Sequence, residues 1–132
     1  MTRDDLAVVS RMFEGWAAGD LEAMLECADP DLEWHAAVDG RLYQGHEGVR
    51  DYYARRRAEG KLEIPLQRTL EVAPGRVLAV GRLRMLRPGR GLADSPGIWA
   101  FYLSDGRITR IEAHASEREA LAALRAHARL VT

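Results

Sequence analysis

Disulfide frameworks and paired-cysteine metal or redox motifs are excluded at once, because Cys27 is the only cysteine in 132 residues. Long apolar runs are missing too: the longest are a few residues, far short of a membrane span. The opening Met1-Thr2-Arg3-Asp4-Asp5 is polar and leads toward a helix, not into the apolar stretch of a signal peptide. The expected location is therefore the cytoplasm. Charge of one sign is also lacking: nineteen basic residues face twenty acidic ones, a formal charge of −1, so no global basic field draws the chain to nucleic acid. Lysine is almost absent. Eighteen of the nineteen basic residues are arginine and Lys61 alone is lysine. A GC-rich genome explains that bias without function; anion recognition through guanidinium forks is the other reading. What is present is ordinary for a globular protein, with 47% hydrophobic and 30% charged residues. One domain spanning residues 1–132 is expected, burying roughly two-thirds of its unfolded surface.

Periodicity then orders the elements. Leu6, Val9, Phe13 and Trp16 recur at helical spacing after a Thr2/Asp5 capping pair, and Gly19 suits a left-handed helix end. Asp20 caps a shorter helix carrying Leu21, Met24, Leu25 and Ala28, which Asp29-Pro30-Asp31 should end. From Leu32 the period becomes two, with Leu32, Trp34 and Ala36 on one face of a strand. Leu42-Tyr43 reads as a short return strand after the Asp39-Gly40 turn. A third helix over 46–58 turns Val49, Tyr52 and Tyr53 inward and Arg50, Arg55, Arg56 and Arg57 mostly outward, and Gly60 closes it. Strands follow at 62–72, 77–86, 98–103 and 107–114. They are separated by Pro74-Gly75, by a loop holding Pro88-Gly89 and Pro96-Gly97, and by the hairpin signal Asp105-Gly106. Ser116 to Glu119 form a capping box for a last helix with Leu121, Leu124 and Ala128 on one face. Helices segregated from a run of hairpins predict an α+β fold, a curved sheet closed by helices around a cone-shaped cavity.

Three segments carry a family resemblance: Trp16 to Met24 (WAAGDLEAM), Pro30 to His35 (PDLEWH) and Tyr43 to Val49 (YQGHEGV). With Asp105-Gly106-Arg107-Ile108 and Glu119-Ala120-Leu121, they make the chain similar to the nuclear transport factor two-like superfamily. Within it, the nearest likeness is to SnoaL-like polyketide cyclases and ketosteroid isomerase-related proteins. The resemblance covers nearly the whole chain. It implies a cystatin-like α+β cone with a mostly antiparallel sheet wrapped around N-terminal helices, plus a C-terminal helix.

Function follows less directly, because the family includes isomerases, cyclases, hydrolases, dehydratases and non-catalytic binders. Ketosteroid isomerases place a carboxylate base, a tyrosine and a protonated aspartic acid around the bound carbonyl. Those positions correspond to Ala36, Met12 and Trp99, and the aspartate of related cyclases and epoxide hydrolases falls near Ala113. All four are apolar. Tyr53 matches a pocket tyrosine of the isomerase network and Tyr52 its aromatic neighbour.

Tyr53 and His35 are accordingly the candidate catalytic residues. A strand histidine can act as a base near neutral pH, but the Leu32/Trp34 face turns His35 outward unless the strand slips by one residue. Glu112 and His114 share a strand face and resemble an acid–base pair. Cross-strand pairing with Arg82 and Arg84 is the structural alternative. The expected ligand contacts are Met12, Trp16, Trp34, Ala36, Tyr52, Leu83, Met85, Trp99, Phe101, Ile111 and Ala113. No metal-ligand spacing such as HExxH occurs, and His46-Glu47 cannot share a helix face, so no metal or other cofactor is expected. Ser10, Ser95, Ser104 and Ser116 lack a nucleophile elbow, and Gly89-Arg90-Gly91 is a turn rather than a phosphate loop.

Two functions remain open. One is isomerisation, cyclisation or dehydration of a hydrophobic cyclic or polyketide-like carbonyl compound. The other is non-catalytic binding or association. The expected partners are a hydrophobic small molecule and a second copy of the chain, with no nucleic acid and no membrane. The dimer would form through the sheet's outer face, where Leu78, Val80 and Leu86 lie beside Arg82 and Arg84.

Overall fold

Asp4 starts the first helix: its carboxylate accepts from the Leu6 N–H at 3.0 Å, and α1 runs Asp5–Ala18. The computed structural model describes residues 4–131, with side chains as far as 126, so Thr2 lies outside the described residues and Ala128 outside the described side chains. Asp5 serves another purpose than capping. It accepts from the Gly75 N–H at 2.9 Å and ties α1 to a hairpin turn 70 residues away. Gly19 takes the left-handed helix end at φ 68°, and Asp20 caps α2 (Leu21–Cys27) through the Ala23 N–H.

The remaining elements are β1 (Ala28–His35), β2 (Leu42–Gln44), α3 (Gly45–Glu59), β3 (Lys61–Glu63), β4 (Leu66–Ala73), β5 (Arg76–Arg87), β6 (Gly91–Ser104), β7 (Arg107–Ala113) and α4 (Glu117–Val131). The sheet order is β2-β1-β7-β6-β5-β3, with β4 also on β5. Only β1 and β7 run parallel among these pairs.

Three boundaries depart from the sequence reading, each for a backbone reason. Ala28 belongs to β1 and not to α2, because it pairs with Ile108 of β7 across an irregular stretch at Asp29-Pro30-Asp31. The strand expected at 62–72 is two strands broken at Pro65, which has no N–H for a ladder. Its carbonyl instead accepts from the Arg82 N–H at 3.1 Å. That approach needs Gly81, since a Cβ there would stand 2.3 Å from the Pro65 oxygen. Finally, Pro96-Gly97 lies inside β6 and not in a loop. β6 pairs with β5 from Gly91 to Tyr102, whereas β7 joins it only from Trp99. Pro96 therefore sits where β6 is an edge strand, the place a sheet tolerates proline.

Two apolar clusters hold the layers together. The larger fills the concave side, between α1–α3 and the inner sheet face of Leu32, Trp34, Val77, Ala79, Phe101 and Ile111. The smaller lies on the convex side, where Ala120 and Leu124 of α4 cover Leu78, Ala100 and Tyr102. Leu78 is 1% exposed within a single chain, so α4 already covers part of the face assigned by expectation to a second copy; Leu86 remains 50% exposed.

Two charge assignments also change. Arg56 is buried rather than outward. Arg82 and Arg84 pair with Asp94, not Glu112, because β6 separates β5 from β7.

Candidate functional site

Inside the cone the aromatic side chains are in mutual contact. The Trp34 and Tyr52 rings lie 4.1 Å apart, Tyr43 meets Tyr52 edge-on at 5.2 Å, and Phe13 touches Trp99 at 5.4 Å. Trp99 lies across the backbone of Gly97, where a Cβ would come within 2.1 Å of the indole. The cavity left between them is about 40 Å³.

Of the expected contacts, Met12, Trp16, Trp34, Tyr52, Leu83, Trp99, Phe101 and Ile111 line that cavity. Ala36, Met85 and Ala113 pack in or against the same core without reaching it. Phe13, Met24, Ala37, Val38 and Ile64 line it as well. The 3.6-residue spacing pointed to Phe13 and Met24 as core. Ile64 reads locally as part of the expected 62–72 strand, and in the structure it follows the three-residue β3.

The lining contains no carboxylate and no imidazole. Its one ionisable group is the Tyr52 phenol, whose pKa burial pushes far above the ordinary value, so it stays a neutral hydrogen-bond donor.

A polar network packs against Tyr52. Asp39, in the β1–β2 turn, accepts from the Tyr43 hydroxyl and from Arg56 at 3.2 Å. Arg56 also donates to Glu59 and places its guanidinium 5.1 Å from the Tyr52 ring centre. Burial alone would raise the Asp39 pKa, but the hydrogen bonds from Tyr43 and the Arg41 backbone, with the Arg56 charge, outweigh it and hold the carboxyl below its usual value. Burial, together with the same carboxylate, raises the Tyr43 phenol.

The two candidate catalytic residues are not brought together. His35 falls on the opposite strand face from Trp34, in register with Glu112, and the one-residue slip does not occur. Tyr53 borders a separate cleft of about 600 Å³ between the ends of α1 and α3 and strand β3. Its hydroxyl donates to the Gly19 carbonyl at 3.1 Å and accepts from Arg57 at 2.8 Å. Glu112 keeps a low pKa despite burial, because Arg110 and Tyr102 donate to it, and His114 lies 3.3 Å away. That cluster is on the outer face, away from the cone. No group of three His, Cys, Asp or Glu among the described residues could hold a metal ion. No helix there is long and apolar enough to cross a membrane.

Residues 9–111 match the SnoaL-like domain. The chain belongs to this family. Along the sequence, the SnoaL-like chain is 34% identical over 117 residues to the uncharacterised protein Rv0034 of Mycobacterium tuberculosis, covering 84% of this chain and 88% of that one. Its fold is shared with Bal32a from a soil-derived mobile gene cassette: TM-score 0.76, 22% identity, 88% and 92% coverage. It is also shared with a Xanthomonas campestris protein provisionally assigned as a polyketide cyclase: TM-score 0.73, 20% identity, 91% and 96% coverage. At these identities the two structural likenesses show a shared fold.

Proposed function

We propose that this SnoaL-like domain binds a hydrophobic cyclic or polyketide-like carbonyl compound in the aromatic cone, as a binding module without proton-transfer catalysis there. One observation carries the reading: the cone lining holds no carboxylate or imidazole, only indoles, a neutral phenol and apolar groups. General acid–base catalysis needs a titratable partner within hydrogen-bond reach of the reacting atom. A phenol held neutral can donate to a carbonyl oxygen but cannot take a proton from carbon near pH 7.

The cavity of about 40 Å³ has room for little more than a water, so a ligand must displace side chains. Met12 and Met24 are suited to that, because unbranched thioether chains change rotamer at low cost.

Thermal-shift screening of apolar ketones and lactones, followed by a steroid isomerase assay with the best binders, is the test. Stabilisation by members of the panel with background turnover is expected. The absence of any shift across the panel removes the binding reading. Turnover well above background removes the non-catalytic one.

A further inference from the structure

A second cleft lies outside the cone. At about 600 Å³ it has the size of a site for a drug-sized ligand. Its apolar floor includes Trp16, Leu62 and Ile64, and the Trp16 indole is held in place by an N–H bond to the Leu62 carbonyl at 2.8 Å. Its lining carries four basic side chains against one carboxylate, Glu63.

Two of those cations are uncommitted. Arg56 is neutralised by Asp39 and Glu59, and Arg84 shares Asp94 with Arg82. Arg57 and Lys61 have no carboxylate at ion-pair distance among the described residues. Offsetting the dipole of α3 explains a cation in its last turn. It does not explain the relay that ends there: Arg57 donates to the Tyr53 oxygen, and Tyr53 donates to the Gly19 carbonyl at the end of α1. The relay satisfies that carbonyl and orients Arg57 while using one of its five N–H donors.

We propose that this cleft binds an amphipathic organic anion. A flat apolar body lies against Trp16, Leu62 and Ile64, and a carboxylate or phosphate is held by Arg57 and Lys61. The site lies beside the cone, shares Trp16 and Ile64 with its lining, and does not rest on ligand binding there.

Lys61 is the only lysine, so reductive methylation with 13C gives one lysine dimethyl resonance as a reporter. The full chain is titrated with 2-naphthoate, 2-naphthyl phosphate and the neutral 2-naphthamide. At least one anion is expected to bind about tenfold more tightly than the amide and to shift the Lys61 resonance saturably. The tighter of the two identifies the group. Arg57→Gln should lower that affinity about tenfold and leave the amide unchanged. Lys61→Gln, on an exposed short strand, is the second variant if Arg57→Gln melts early; it should give the same loss, read by calorimetry. Equal binding of amide and anions, anion binding that leaves Lys61 unmoved, affinity unaffected by the variant, or no anion binding up to millimolar concentration each overturn the proposal. Lys61 lines the cleft and not the cone, so its resonance shift reports on the cleft and binding that leaves it unmoved reports on the cone, and failure at one site is distinguishable from failure at the other.

Discussion

Trp99 and Gly97 act as a pair, because the indole occupies the space that any side chain at position 97 would need. Gly97→Ala must push the ring toward Phe13, its edge-on neighbour, and overpack the cone. The expected cost is about 1–3 kcal/mol, read by denaturant unfolding, with a shift in tryptophan emission as Trp99 moves. Asp39 makes a prediction about pH. Its carboxyl titrates below the ordinary 3.8 when folded, so its stabilising contribution is complete above that value and is lost as pH falls through the lowered one. Melting temperatures measured from pH 6 down to about pH 2 should fall more steeply for the wild type than for Asp39→Asn. Equal slopes would remove Asp39 as the group that holds the β1–β2 turn.

On the convex side α4 packs against β4, β5 and β6. Among the described side chains of α4, Ala120 and Leu124 are fully buried, and both sit on Leu78, Ala100 and Tyr102 of the sheet. The exposed Arg68–Glu117 ion pair adds little at the surface. Leu124→Ala is therefore expected to cost about 2–5 kcal/mol and to speed amide exchange in α4 before the rest of the chain. Uniform exchange changes across all helices would mean that α4 unfolds only with the whole domain.

At the scale of the molecule, α4 changes the case for self-association. The apolar reason for pairing two outer faces is reduced, since Leu78 is covered and Val80 packs in the α4 cluster. What remains on that side is the half-exposed Leu70 and Leu86 and a polar strip in which Arg110 bridges Glu33 and Glu112, with His114 beside them. We propose a homodimer through this outer face, with the polar strip at the contact. Sedimentation should give twice 14.8 kDa at micromolar concentration, and Arg110→Glu should shift the mass toward one chain. Val80→Asp would be an ambiguous test, because it attacks the α4 contact directly. A single-chain mass for the wild type at that concentration sinks the proposal.

Local pattern by itself determined most of the architecture. Period-two alternation put Leu32 and Trp34 on the inner face and His35 on the outer one, and Ser116 with Glu119 marked the start of α4. Those features depend on neighbours along the chain, which a sequence displays directly. Tertiary structure decided the rest. Pairing with β5 carried β6 through Pro96, a residue that reads locally as a break. The Asp39 turn gave Arg56 a carboxylate partner, so one member of an arginine run that reads as solvated became buried. The site divided in the same way. Tyr52 and Tyr53 are adjacent, yet one stacks on Trp34 inside the cone and the other caps α1 at the cleft. Successive helix positions point about 100° apart, and only the packing of α1 and β1 around α3 determines what each of those directions meets.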